Sequence, residues 1–212
     1  MAQSVLDRIY AEKIIAIVRG ISSAQIVDLA RALAEGGVSC IEVTFDQTNL
    51  EETLASLRAI KSELGDAVCL GAGTVMTAEQ VELAAQAGAE YMISPNVDEA
   101  VIRATKALGK VSIPGAMTPT ETAFAYQCGA DIVKLFPAGL LGPAYVKAVK
   151  APLKHIPVSA VGNITVDNCA DFIQAGAVGV GVGGSLVSPL LVKEGHFDKI
   201  TATARAYREK LR

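Results

Sequence analysis

Lys134, Glu42 and Arg19 are ionisable residues whose neighbours and spacing would let them do chemistry. Lys134 lies inside Ile132-Val133-Lys134-Leu135-Phe136-Pro137, an apolar run with Asp131 before it. Such a run between helical segments reads as a buried parallel strand, covered on both faces. Period two puts Ile132 and Phe136 on the side of Lys134, with Val133 and Leu135 opposite. An isolated ammonium there is costly unless it loses its proton or finds partners. A desolvated lysine has a lowered pKa and carries a lone pair near neutrality, as a Schiff-base nucleophile requires. The alternative is a structural lysine snorkelling out of the strand end. In Cys40-Ile41-Glu42-Val43-Thr44-Phe45 the same period groups Cys40, Glu42 and Thr44 on one face. Ile41, Val43 and Phe45 form the other, suited to pack under helices, so Glu42 is expected to point into the same interior as Lys134.

The elements that must position these residues alternate along the whole chain. Strand candidates are residues 14–18, 40–45, 68–72, 91–94, 111–113, 132–136, 158–161 and 178–182. Amphipathic stretches separate them. Ser22-Ser23-Ala24-Gln25, Thr48-Asn49-Leu50-Glu51, Thr77-Ala78-Glu79-Gln80 and Thr118-Pro119-Thr120-Glu121 have the capping-box form. Pro143 and Thr165 are read as opening two further helices. Gly36-Gly37, Gly65, Gly88, Gly109, Gly129 and Gly176 stand where a left-handed turn would stop each helix. Eight βα units without a linker or composition break, in 212 residues, predict one α/β domain over 1–212, a (β/α)8 TIM barrel. The competing fold, an open doubly wound sheet, lacks its G-x-G-x-x-G fingerprint after the first strand.

In such a barrel the working surface is the carboxyl end of the strands. Arg19 ends the first. The third runs into Gly71-Ala72-Gly73-Thr74, where Gly71 and Gly73 would let backbone amides approach a ligand closely. The fourth ends Ser94-Pro95-Asn96, and the sixth carries Lys134. A lysine nucleophile, a carboxylate acid/base and a guanidinium for an anion form a working set for a keto acid. A buried ion pair is the plainer reading of Glu42 and Lys134; Arg19 as a solvated loop residue and Thr74 as a turn hydroxyl are likewise plainer. Val161-Gly162-Asn163-Ile164 leaves the seventh strand and Gly181-Val182-Gly183-Gly184-Ser185 the eighth. Loops at these places are the usual phosphate cradle of this fold.

Composition narrows the partners. A formal net charge of −3, dispersed along the chain, argues against nucleic acid. Cys40, Cys69, Cys128 and Cys169 are widely spaced and read as reduced core thiols of a cytoplasmic protein. Two histidines, His155 and His196, are too few and too far apart in sequence for the usual zinc site. The N-terminus has no signal-peptide core, and no segment reaches the roughly 18 apolar residues of a membrane helix.

With these residues placed, the chain resembles the 2-keto-3-deoxy-6-phosphogluconate / 4-hydroxy-2-oxoglutarate aldolase family over residues 13–211. The resemblance rests on Ile41-Glu42-Val43-Thr44, Gly71-Ala72-Gly73-Thr74-Val75, Ser94-Pro95-Asn96, Pro114-Gly115-Ala116-Met117-Thr118-Pro119-Thr120-Glu121, Val133-Lys134-Leu135-Phe136-Pro137 and Gly183-Gly184-Ser185. It implies a class I, metal-independent pyruvate aldolase, a homotrimer that needs no cofactor. Lys134 would form the Schiff base and Glu42 would shuttle protons. Thr74 and Pro95 would line the pyruvate pocket beside Phe136, and Gly162 with Gly183, Gly184 and Ser185 would hold the distal phosphate. The chain departs from the family pattern at three places. Asp46 stands where many members carry arginine, which leaves the anion contact to Arg19. Val161 replaces a common threonine, as in the 6-phosphogalactonate branch. Asn163 replaces a glycine at the phosphate loop. The implied reaction is cleavage of 2-keto-3-deoxy-6-phosphogluconate to pyruvate and glyceraldehyde 3-phosphate; the phosphogalactonate or 4-hydroxy-2-oxoglutarate analogue is the alternative. A non-catalytic phosphometabolite-binding barrel is the reading from another class.

Overall fold

The computed structural model describes residues 2–212. The chain runs α1 (Ala2–Glu12), β1 (Ile14–Val18), α2 (Ser23–Glu35), β2 (Cys40–Thr44), α3 (Leu50–Leu64), β3 (Cys69–Gly73), α4 (Ala78–Gln86), β4 (Tyr91–Ile93), α5 (Glu99–Ala107), β5 (Val111–Ile113) and β6 (Gly115–Ala116). It continues through α6 (Pro119–Gln127), β7 (Val133–Leu135), α7 (Ala138–Leu141), α8 (Pro143–Lys150), β8 (Val158–Val161), α9 (Cys169–Gln174), β9 (Gly179–Val182), α10 (Pro189–Lys193) and α11 (Phe197–Lys210).

All strand pairs are parallel, in the order β5-β4-β3-β2-β1-β9-β8-β7-β6. The two ends of that order, β5 and β6, flank Pro114 on one continuous stretch, so the sheet closes on itself as a (β/α)8 barrel. The expected fifth strand is thus split in two. Proline has no N–H to give to a ladder. The Pro114 carbonyl still accepts from the Lys134 amide at 2.9 Å, and the Ser112 carbonyl accepts from Asp131 at 3.0 Å, which seals the seam.

Period two sorts the strand residues as expected. Ile41, Val43, Val133, Leu135, Val158 and Ala160 face outward into the layer beneath the helices, packing with residues such as Leu29, Leu33, Leu57, Ile60, Phe172 and Tyr207. Ile15, Cys40, Cys69, Tyr91, Ile93, Val111, Ile113 and Ile132 fill the lower interior together with Val5 and Ile9 of α1. The helix α1, absent from the count of βα units, plugs the amino end of the barrel. It is stitched there by Glu12, whose carboxylate accepts from the amides of Ser39 (2.8 Å) and Cys40 (3.0 Å).

Caps differ from the expected ones at two helices. Asn49, not Thr48, caps α3, and α9 starts at Cys169, behind Asn168, with Thr165 in the preceding turn. Of the four capping-box candidates only Thr118–Glu121 closes both hydrogen bonds; Ser22 and Thr77 cap their helices with the side-chain oxygen alone. All four cysteines are free and buried.

Candidate active site

The carboxyl ends of the strands surround a cavity of about 650 Å³, lined by Arg19, Thr74, Pro95, Lys134, Phe136, Gly162, Asn163, Gly183, Gly184 and Ser185 among others. Those are ten of the residues singled out from the sequence. The wall adds Ile17, Val161, Ile164, Thr165 and Gly181. The volume is that of a site for a small metabolite.

Lys134 is central in β7, its neighbours Val133 and Leu135 anchored in the outer layer. Its side chain is 8% exposed and enters the cavity, with Nζ 5.4 Å from the centroid of the Phe136 ring. The opposing strands bring small or polar residues level with it, Gly115 on β6 and Ser159 on β8, which leaves room around the amine.

Glu42 is 1% exposed and, like Gly73, is not among the residues that line the cavity. Burial pushes its carboxyl above the usual range, against the opposing pull of Lys134 first and Arg19 second. Among the described residues no ion pair within 4.0 Å joins it to either cation. The plainer reading, a closed buried salt bridge, is therefore not what the barrel contains: amine and carboxylate feel each other across a gap. The carboxylate instead rests against Gly73, in space that a β-carbon would need. Gly71 is level with Glu42 and Tyr91 on the neighbouring strands, and there a β-carbon would run into the Tyr91 ring. The two glycines of β3 serve side chains of adjacent strands; a close approach of ligand to backbone is not needed to explain them.

Arg19 leaves β1 at the rim and donates from Nη2 to Thr74 Oγ1 at 3.2 Å. Thr74 holds φ = 54°, a conformation costly for a β-branched residue. Its loop is pinned from behind: Gln47 Nε2 donates to the Thr74 carbonyl at 2.8 Å, and Gln80 donates to Gln47 at 2.7 Å. Neither glutamine was singled out as a site residue in the sequence, where Gln80 is read only as part of a capping box. Asp46 turns away from the cavity and accepts from the Thr48 hydroxyl (2.6 Å) and amide (2.8 Å), which hold its carboxyl below the usual range. The guanidinium on the cavity wall is that of Arg19.

Two loops close the far side. Gly162 and Asn163 both have positive φ, 95° and 54°. Their carbonyls are taken by the Gly139 amide (2.8 Å) and Asn168 Nδ2 (3.2 Å), and the exposed Asn163 side chain lies free at the cavity. After β9 the amides of Leu186 and Val187 both turn back to the Gly183 carbonyl, at 2.9 and 2.8 Å. Among the described residues the amides of Gly184 and Ser185 then have no partner, the arrangement that receives an anion. The two loops are tied together: Ser185 Oγ donates to the Ile164 carbonyl at 2.6 Å and accepts from Tyr207 Oη of α11 at 3.0 Å. Among the described residues no three His, Cys, Asp or Glu side chains come together as a metal site.

Comparison with known proteins gives the family and the fold. The family model "Aldolase: KDPG and KHG aldolase" matches residues 5–203. The chain is 36% identical to the 2-dehydro-3-deoxy-6-phosphogalactonate aldolase of Escherichia coli K12, over 92% of this chain and 95% of that one. It is 38% identical to the 2-dehydro-3-deoxy-phosphogluconate aldolase of Treponema pallidum, over 84% of each chain. Among solved structures, the KDPG aldolase of Legionella pneumophila, with pyruvate captured as a covalent carbinolamine, superposes with a TM-score of 0.86 at 25% identity, over 94% of this chain and 96% of that one.

Proposed function

We propose that this chain, which belongs to the KDPG and KHG aldolase family, reversibly cleaves a 2-keto-3-deoxy-6-phospho sugar acid to pyruvate and glyceraldehyde 3-phosphate through a Schiff base on Lys134. The observation that carries this reading is the pairing of a nearly buried lysine with an unbridged, nearly buried carboxylate below one cavity. Lys134 Nζ attacks the C2 carbonyl, and the carbinolamine loses water to give an iminium. Glu42, acting through a water across the gap, takes the C4 hydroxyl proton. The C3–C4 bond then breaks, its electron pair moves into the iminium, and the aldehyde leaves. The resulting enamine takes a proton at C3 from Glu42, and hydrolysis frees pyruvate and Lys134. The raised pKa of Glu42 suits a group that must both accept and return a proton. Arg19 and Thr74 face the keto-acid carboxylate, and the amides of Gly184 and Ser185 face the distal phosphate.

A second reading differs only at C4. Val161 lines the cavity without a hydroxyl, and the Escherichia coli relative is named for the phosphogalactonate, so the C4 epimer is the competing substrate. Pyruvate release coupled to lactate dehydrogenase decides between the epimers and their unphosphorylated forms. Equal kcat/KM with and without phosphate would contradict the anion site, and no pyruvate from any of them would favour a binding protein.

The protein is proposed to assemble as a homotrimer in the cytoplasm. Met117, just before α6, Phe124 of α6 and Leu140 of α7 are 46, 45 and 71% exposed, apolar area suited to a contact between copies. Four free buried thiols suit a reducing compartment, and among the described residues no helix is long and apolar enough to cross a membrane. Light scattering reads the assembly directly.

A further inference from the structure

Glu42 poses a positional problem. Its carboxylate has no hydrogen bond or ion pair among the described residues, yet the proposed proton transfers need it in one place. A glutamate has three rotatable bonds, and without polar partners only packing can fix them. On one side it lies in the notch left by Gly73. The residue two positions earlier on β3, Gly71, leaves a second notch one layer deeper, and the Tyr91 ring fills it. Tyr91 is fully buried, and it joins the lower interior cluster with Cys40, Cys69, Ile93 and Val111.

We propose that Tyr91 is the positioning residue for Glu42: its ring, keyed into Gly71, is the floor that holds the carboxylate up against Gly73 and shuts it off from the barrel below. The inference rests on the proton-shuttling role given to Glu42. The notches are matched in register, since Glu42 and Tyr91 both pair with Gly71 from opposite sides of β3. The ring carries this role, because the buried Tyr91 Oη has no hydrogen-bond partner among the described residues. The charged or titratable groups around the pair are Lys134 and Arg19 above Glu42, with Cys40, Cys69 and Glu12 toward Tyr91. Both cations favour the ionised carboxylate, so it is the dry floor, more than any neighbouring charge, that keeps Glu42 protonated to higher pH.

The test compares Tyr91→Phe, Tyr91→Leu and the smaller, unbranched Tyr91→Met in the full chain, by pH profiles of pyruvate release. Tyr91→Phe is expected to keep the wild-type kcat and acid limb. In Tyr91→Leu or Tyr91→Met water reaches the carboxylate from below; the acid limb should move down by about one pH unit and kcat fall about tenfold, with KM within twofold. An unshifted acid limb in a folded Leu or Met variant would overturn the proposal, as would a Phe variant as impaired as either. A wild-type protein that releases no pyruvate, or whose acid limb survives Glu42→Gln, would instead overturn the role of Glu42 itself.

Discussion

The Glu42 carboxylate occupies the space that a β-carbon on Gly73 would take. Any side chain at 73 must therefore displace the group that is proposed to move protons. Gly73→Ala is expected to lower kcat about 100-fold, the usual effect of a displacement near 1 Å, and to destabilise the fold by about 1–3 kcal/mol through overpacking. Steady-state kinetics and chemical denaturation check both, and full activity in Gly73→Ala would contradict the packing described here.

Stability should carry the mark of Glu42. Burial raises its carboxyl above the usual range despite Lys134 and Arg19. Below the unfolded pKa the group is protonated in both states and costs nothing; as pH rises through the folded pKa, the unfolded chain ionises more readily and stability is lost. Glu42→Gln is thus expected to be inactive yet more heat-stable than wild type at about pH 7.5, with the gain vanishing near about pH 3. Melting temperatures at the two pH values measure it, and an equal difference at both would contradict the burial argument.

Ser185 links the two anion-facing loops through Ile164 and Tyr207. Ser185→Ala removes about 1 kcal/mol of hydrogen bonding and loosens the cradle. KM for the phosphorylated substrate should rise about tenfold, the kinetic equivalent of about 1.4 kcal/mol. Turnover of the unphosphorylated acid should stay within twofold. A matching loss for both substrates would place Ser185 outside the phosphate end.

Much of this was legible in the sequence, because the signals were local. Period two in β2 and β7 sends Glu42 and Lys134 inward, and their alternate neighbours are apolar enough to anchor both strands. The Gly-rich turns after β8 and β9 likewise declare themselves by residue type. What was not legible depends on partners from other strands. Gly71 and Gly73 read as ligand-facing backbone, yet the demand for a missing side chain comes from Tyr91 and Glu42 on the flanking strands. Pro114 was read as lying after the fifth strand, yet it splits that strand because pairing continues to Ala116 on the other neighbour. Gln47, Gln80 and Tyr207 are ordinary helix or loop residues until the fold sets them behind Thr74 and Ser185.

The central claim is that the Lys134 amine attacks a keto acid in this cavity, and covalent trapping tests it most directly. The protein is incubated with pyruvate, reduced with borohydride and digested, and the peptides are weighed. A pyruvate-derived mass increase is expected on the peptide carrying Lys134, abolished by Lys134→Ala. An unmodified Lys134 peptide after reduction, in protein that still cleaves substrate, would contradict it.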